Sequence, residues 1–168
     1  MQAGDLVVCT TRGLMGQGIR FAQRRNHEQD WEDNHICALD KCIDGEWTVV
    51  QAEPRGITND KLLTEIAVGG TFKIIPLPAS VDREKFLEYQ RSKVGLSYGY
   101  LTLLSIAGNM FLPESVHFRW KASLVCSGLV ATGLMFGGFS PTEKVADIYD
   151  ITPAQVARMC YGDVKESA

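Results

Sequence analysis

Apolar and polar positions alternate in short runs through the first eighty residues and then lengthen into helical periods. Gly4-Asp5-Leu6-Val7-Val8-Cys9-Thr10 reads as a short strand opening just after a Gly-Asp turn. Leu14, Ile19, Phe21 and Ala22, with Gln17 and Arg20 between them, predict a helix ending near Arg24-Arg25-Asn26. A polar loop from His27 to Asn34 follows. His35 to Asp40 reads as a second strand, Asp44-Gly45 as a hairpin turn, and Trp47 to Ala52 as the returning strand. Pro54-Arg55-Gly56-Ile57 ends that strand and starts an edge or turn segment. Asp60 to Val68 predicts a short amphipathic helix broken by Gly69-Gly70. Thr71 to Leu77 predicts a further strand, and Asp82 to Val94 a surface helix. Val94 to Tyr100 reads as a turn-rich joint, Leu101 to Ala107 as an apolar helix, and Pro113 to Arg119 as a loop. Pro141 and Pro153 both stand where helices start. Strands come first and helices later, so the expected class is α+β, in one domain over residues 1–168.

The stretch from Ser123 to Leu134 differs from the rest. Val125, Leu129, Val130 and Leu134 recur at helical spacing, and the positions between them are small. Ser123 is a candidate N-cap, which would put Cys126 three residues into the helix, near its partly positive end. Such a position favours the thiolate, the nucleophilic form. A buried, inert cysteine is the common alternative. Gly128 in mid-helix suggests close packing against a sheet.

Composition narrows the possibilities. Charged residues make up 22% of the chain and apolar ones 45%, with a net charge of −3. Acidic and basic residues are interspersed, so no nucleic-acid footprint is indicated. The run from Tyr98 to Pro113 is too short and too broken for stable membrane insertion. Met1 to Asp5 lacks the basic start and apolar run of a signal peptide. Cytoplasmic residence is therefore the expectation, with export by another protein's help left open. The five cysteines are odd in number and irregular in spacing, as for reduced thiols rather than a disulfide framework. Cys37, Cys42 and His35 could approach one another, but no second CxxC or HxxxH completes a zinc set. No metal or organic cofactor is implied.

A cysteine hydrolase needs a thiol, a base and a polar group that orients the base. Of the three histidines, His27 sits in a charged loop and His117 in a loop after Pro113. His35 begins a strand, where its ring could face a groove or serve the core. Alternation puts Val49, Gln51 and Glu53 on one face of the returning strand. The hairpin would bring Gln51 or Glu53 beside His35, although each could equally be an ordinary surface residue.

Four segments resemble, in order, the circularly permuted branch of the NlpC-type papain-like hydrolases, the YiiX-like group. Gly4-Asp5-Leu6-Val7 resembles its opening strand. Asn34-His35-Ile36 resembles its His strand, with Asn where Thr or Ser is usual. Val49-Val50-Gln51-Ala52 followed by Gly56-Ile57 resembles its Val-Ile-Glu-Ala segment with a later Gly-Val. Cys126-Ser127-Gly128-Leu129-Val130 resembles its Cys-Ser-Glu-Leu-Val helix start, and Gly95-Leu96-Ser97-Tyr98-Gly99 resembles the step before that helix. Two positions depart from the pattern. Gln51 stands for a Glu, which weakens the third member or shifts it to Glu53. Gly128 also stands for a Glu, as in the unpermuted form. Nothing beyond Phe139 is covered.

The resemblance implies a papain-like fold with an antiparallel sheet packed on the Cys126 helix. It implies a Cys126 nucleophile, a His35 base and Gln51 or Glu53 as orienting group, with Tyr98 as a candidate oxyanion donor or plain core residue. The implied substrates are small molecules, peptides or lipids carrying cell-wall amides, esters or lipid amides. A lipid acyltransferase or thioesterase on the same scaffold is one rival. A binding protein with a retired site is another, favoured by Gln51.

Overall fold

The computed structural model describes residues 1–11, 13–25, 27–30, 32–66, 72–99, 125–140 and 151–166. The strands are β1 (Leu6–Cys9), β2 (His35–Ile43), β3 (Glu46–Glu53), β4 (Gly56–Leu62) and β5 (Phe72–Ile75). The helices are α1 (Leu14–Arg25), α2 (Leu63–Ile66), α3 (Arg83–Ser92), α4 (Cys126–Phe136) and α5 (Pro153–Glu166). The strands form an antiparallel sheet in the order β4-β3-β2-β1-β5. The class is α+β. Among the described residues no helix is long and apolar enough to cross a membrane.

Period-two alternation sorts the sheet into two faces. Leu6, Val8, Ile36, Ala38 and Ile75 meet Phe86 and Leu87 of α3, Val130 and Leu134 of α4, and Val156 and Cys160 of α5. Val7, Cys37, Leu39 and Val49 point the other way, toward Leu63 and Ile66 of α2. A third cluster holds the Cys126 end of α4: Val50, Ala52, Ile57, Tyr98, Val125 and Leu129.

The opening Gly-Asp turn acts as a tie. Gly4, at φ +90°, donates its N–H to the Leu39 carbonyl at 2.7 Å. The buried Asp5 carboxylate accepts from the Gln2 N–H, the Leu77 N–H and Arg83 of α3. The hairpin turn falls at Asp44-Gly45, both with positive φ, the I′ geometry that matches strand twist. Asp82 caps α3 by accepting from the N–H groups of Glu84 and Lys85, a cap of about 1 kcal/mol. Thr152 and Gln155 cap α5 reciprocally, with Pro153 at its first position.

Two bulges flank β3. Asp40 and Lys41 together oppose Thr48, and Asn59 and Asp60 together oppose Val50. The buried Asp40 carboxylate joins both sides, accepting from Arg91 at 2.7 Å and from Asn59 at 3.3 Å. The second bulge explains why Asp60 to Leu62 is strand rather than the expected helix. The chain stays paired to β3 through Leu62, leaving one helical turn at Leu63–Ile66. The segment after Pro54, expected only as an edge or turn, is a full strand. The expected helices at 101–107 and from 141, and the loop at 113–119, lie outside the described residues.

The helix α4 lies on β2 and β3 and against α3. Its tightest approach is at Gly133, where an added Cβ would collide with the Gln90 amide and stand 3.1 Å from two Phe86 ring carbons. Gln90 is fully buried and donates to the Leu129 carbonyl at 3.0 Å. Gly133→Ala should therefore lower stability by about 1–3 kcal/mol through overpacking, although Ala gains about 1 kcal/mol in helix propensity. Urea unfolding followed by circular dichroism measures this, and an unchanged or raised midpoint would contradict the packing account.

Candidate active site

The ladder between β2 and β3 runs from Ile43↔Glu46 to Ala38↔Val50. Beyond that pair the two strands take other partners. His35, Ile36 and Cys37 pair with Cys9, Val8 and Val7 of β1, while Gln51, Ala52 and Glu53 pair with Thr58, Ile57 and Gly56 of β4. Both strands are held on their outer sides, so the inner edge of β2 is open at His35 and Ile36. The start of α4 fills the opening. The Ile36 N–H and the Ser127 N–H both donate to the Cys126 sulfur.

Cys126 is the first residue of α4, and Val125, extended at φ −99° and ψ 170°, is its N-cap. The expected cap, Ser123, lies outside the described residues, and the helix starts two residues later than that cap would require. The first intrahelical bond runs from the Leu129 N–H to the Val125 carbonyl at 2.8 Å. The thiol therefore stands at the helix terminus, where free N–H groups and the helix dipole favour negative charge.

The His35 ring bridges the gap between the strands. Its Nε2 lies 3.0 Å from Gln51 Oε1, and the ring hydrogen-bonds the Cys126 thiol. With Gln51 on Nε2, Nδ1 is the nitrogen left for sulfur. An amide oxygen can only accept, so the Nε2–H tautomer is the one that fits. Glu53 stands near the ring but is hydrogen-bonded to Lys61 at 2.9 Å. Tyr98 is buried in the apolar cluster with Cys126, brought there by a loop tied to β4 through Ile57 N–H to Leu96 carbonyl and Gly95 N–H to Ile57 carbonyl. Gly56, at φ +125°, permits that tie, since a Cβ there would sit 2.8 Å from the Leu96 oxygen.

Burial alone would push the Cys126 thiol up. The His35 hydrogen bond and charge, with the Ile36 and Ser127 N–H groups, outweigh it and bring the thiol below its ordinary value. Burial likewise favours neutral His35. Cys126, then Gln51 and the Glu53 charge, reverse this and raise the ring. Both shifts favour a thiolate–imidazolium pair. The neighbouring thiols go the other way. Burial, then the charges of Cys126 and Asp33, pushes Cys9 up to about 12, and burial raises Cys37.

A cleft of about 280 Å³ opens on the pair. Gly16 and Ile19 of α1, Lys61 of β4, Ile66 of α2 and Pro54 line it together with His35, Gln51 and Cys126. Asn34 shapes this wall. Its Oδ1 accepts from the Thr11 N–H and hydroxyl, and its Nδ2 donates to the Thr11 and Gly16 carbonyls. A Cβ on Gly16 would sit 2.8 Å from Asn34 Nδ2. Asn34 thus fixes the residue next to His35 to the turn that opens α1. Its motif position was visible in the sequence, but this bracing role was not. His27 is exposed and away from the cleft lining, and His117 lies outside the described residues. Among the described residues no group of three or more His, Cys, Asp or Glu side chains could hold a metal ion.

The structure thus brings Cys126, His35 and Gln51 into one hydrogen-bonded chain, with Tyr98 packed beside it and Glu53 paired elsewhere. No protein-family model matches the chain, and no curated protein matches its sequence.

In a Cys42→Ser background, which removes the exposed thiol, Cys126 should be the thiol that iodoacetamide labels first. Its labelling rate should rise with pH and reach half-maximum below 9.0, because its thiolate forms below the ordinary thiol value. His35→Ala should move that midpoint up by about one unit or more. Peptide mass spectrometry across pH 5–10 reads both. Faster labelling of Cys9 or Cys37 would contradict the assignment.

Proposed function

We propose that this protein is a cysteine-dependent hydrolase of amide or ester bonds with a permuted papain-like fold. The observation that carries the reading is the Cys126–His35–Gln51 hydrogen-bonded chain at a helix start, opening on a cleft. The order of the His and Cys segments, resembling the YiiX-like group, supports the permuted fold. The Cys126 sulfur attacks the carbonyl carbon, and the oxyanion is held by main-chain N–H groups at the start of α4. His35 passes its proton to the departing amine or alcohol as the carbon–heteroatom bond breaks. Water then attacks the thioester and gives its proton to His35. The acid leaves, and the thiol is restored. Gln51 holds the ring throughout. Tyr98 serves as apolar wall.

Hydrolysis of a panel of p-nitrophenyl esters and aminoacyl p-nitroanilides tests this. Cys126→Ala should abolish turnover, and His35→Ala should lower kcat/KM by about 10²–10⁴-fold. Gln51→Glu should hold or raise the rate, since a carboxylate supports the imidazolium better than an amide does. Glu53→Gln should change it little, because Lys61 already engages that carboxylate. Turnover that survives Cys126→Ala would sink the reading. Loss in Glu53→Gln with none in Gln51→Ala would move the orienting role to Glu53. Acyl release to an added amine in preference to water would assign transfer rather than hydrolysis.

A further inference from the structure

Gln51 uses one end of its amide on His35, and its other end is unexplained. Gln51 is 2% exposed, and its Nε2 is buried with no hydrogen-bond partner among the described residues. The same holds for the Thr58 hydroxyl oxygen. These two residues are direct cross-strand partners, Gln51↔Thr58. Opposed residues on antiparallel strands project to the same face with Cβ atoms about 4.5–5.5 Å apart. A residue with a buried, unsatisfied N–H donor and one with a buried, unsatisfied hydroxyl therefore stand side by side on one face behind the proposed site. Neither atom is open to the cleft, so neither can be waiting for substrate.

The match depends on the β4 bulge. In the register of Thr48↔Leu62 and Val49↔Lys61, Gln51 would oppose Asn59. The extra residue at Asn59-Asp60 moves Thr58 into that place and turns the Asn59 amide to Asp40. Bulges re-aim side chains in this way beside functional sites.

We propose that Thr58 is the positioning residue for Gln51. Its hydroxyl oxygen accepts the free Gln51 Nε2–H, directly after a small side-chain rotation or through one bridging water. When His35 is an imidazolium, only Gln51 Oε1 can serve it, so the amide must present its NH₂ group on the far side. Thr58 supplies the acceptor that this orientation requires. It thereby keeps the carbonyl against the ring instead of letting the amide swing into the cleft. This inference rests on the Cys126–His35 reading. The charged or titratable groups around the pair are Cys9 on β1, Cys37 on β2, Glu53 with Lys61, Glu65 on α2, and Tyr98. A change at Thr58 leaves all of them in place.

The test is the pH profile of Cys126 carbamidomethylation in the full chain carrying Cys42→Ser. Thr58→Val keeps shape and removes the hydroxyl. It should raise the labelling midpoint by about half a unit to one unit, a threefold to tenfold loss of thiolate. Thr58→Ser should restore the wild-type profile. Gln51→Ala should raise the midpoint similarly, and the Thr58→Val, Gln51→Ala double variant should go no further, because both act through one hydrogen-bonded chain. Should Thr58→Val not fold by circular dichroism, Thr58→Ala serves in the same cycle. Midpoint shifts that add, or a Thr58→Val profile equal to wild type while Gln51→Ala moves it, would overturn the Thr58 assignment alone. A midpoint that His35→Ala does not move would overturn the hydrolase reading and this inference with it.

Discussion

A thiol and an imidazole taken out of water both resist charge, and the site works against that resistance. Cys126 is 3% exposed, so the neutral pair would win if burial were the only term. What reverses it is donor geometry: His35 on one side of the sulfur, the Ile36 N–H on another, and the Ser127 N–H at the helix start. Two of these three are main-chain groups, which cannot move away without unfolding a strand or a helix. The Ile36 donor exists because β2 and β3 part company beyond Ala38↔Val50. A continued ladder would have spent that N–H on β3 and left no room for α4.

The rest of the fold keeps that parting open. β1 holds His35 to Cys37 from one side, and β4 holds Gln51 to Glu53 from the other. Asn34 anchors the strand start to Thr11 and Gly16. The buried Gln23 carries the anchor further, donating to the Asp33 carbonyl at 2.9 Å and accepting from the Ala154 N–H at the start of α5. Behind the sheet, Asp40 draws Arg91 of α3 and Asn59 of β4 together across β3. A buried carboxylate so paired adds little net stability. Its value here is geometric, because it fixes where both bulges fall.

Much of this was legible in the sequence. Periodicity and turn residues located β1, α1, the Asp44-Gly45 hairpin, α3 and the start of α5. Alternation put Gln51 and Glu53 on one face, and the hairpin brought either of them beside His35. The departures have one physical source, namely pairing that no local pattern records. Gly56 to Leu62 contains Thr, Asn, Asp and Lys and reads as turn and helix, yet it is strand because β3 offers a ladder and a bulge absorbs the extra residue. The cap of α4 was misplaced for a similar reason. Ser123 has the better capping chemistry, but the helix starts where the sheet opening admits it, at a Val with no side-chain bond to offer. The roles of Asn34 and Thr58 arise from residues 23 and 7 positions away in sequence, beyond any motif.

Gln51 also has an energetic consequence. An amide brings a dipole to His35 where a carboxylate would bring a full charge, so it supports the imidazolium less and orients it about as well. The chain has a carboxylate within electrostatic reach, Glu53, but Lys61 sits on it at 2.9 Å. The anionic help reaching the ring from that side is partly cancelled. The thiolate is then held first by His35 and, after it, by the Ile36 and Ser127 N–H groups. The same contact raises the ring, with Gln51 adding to it and the Glu53 charge contributing least. In the proposed hydrolysis the same ring would release a proton to the leaving group and then take one from water. A base held too firmly in its charged form would slow the first of those transfers, so an amide in place of a carboxylate tempers that hold while still orienting the ring.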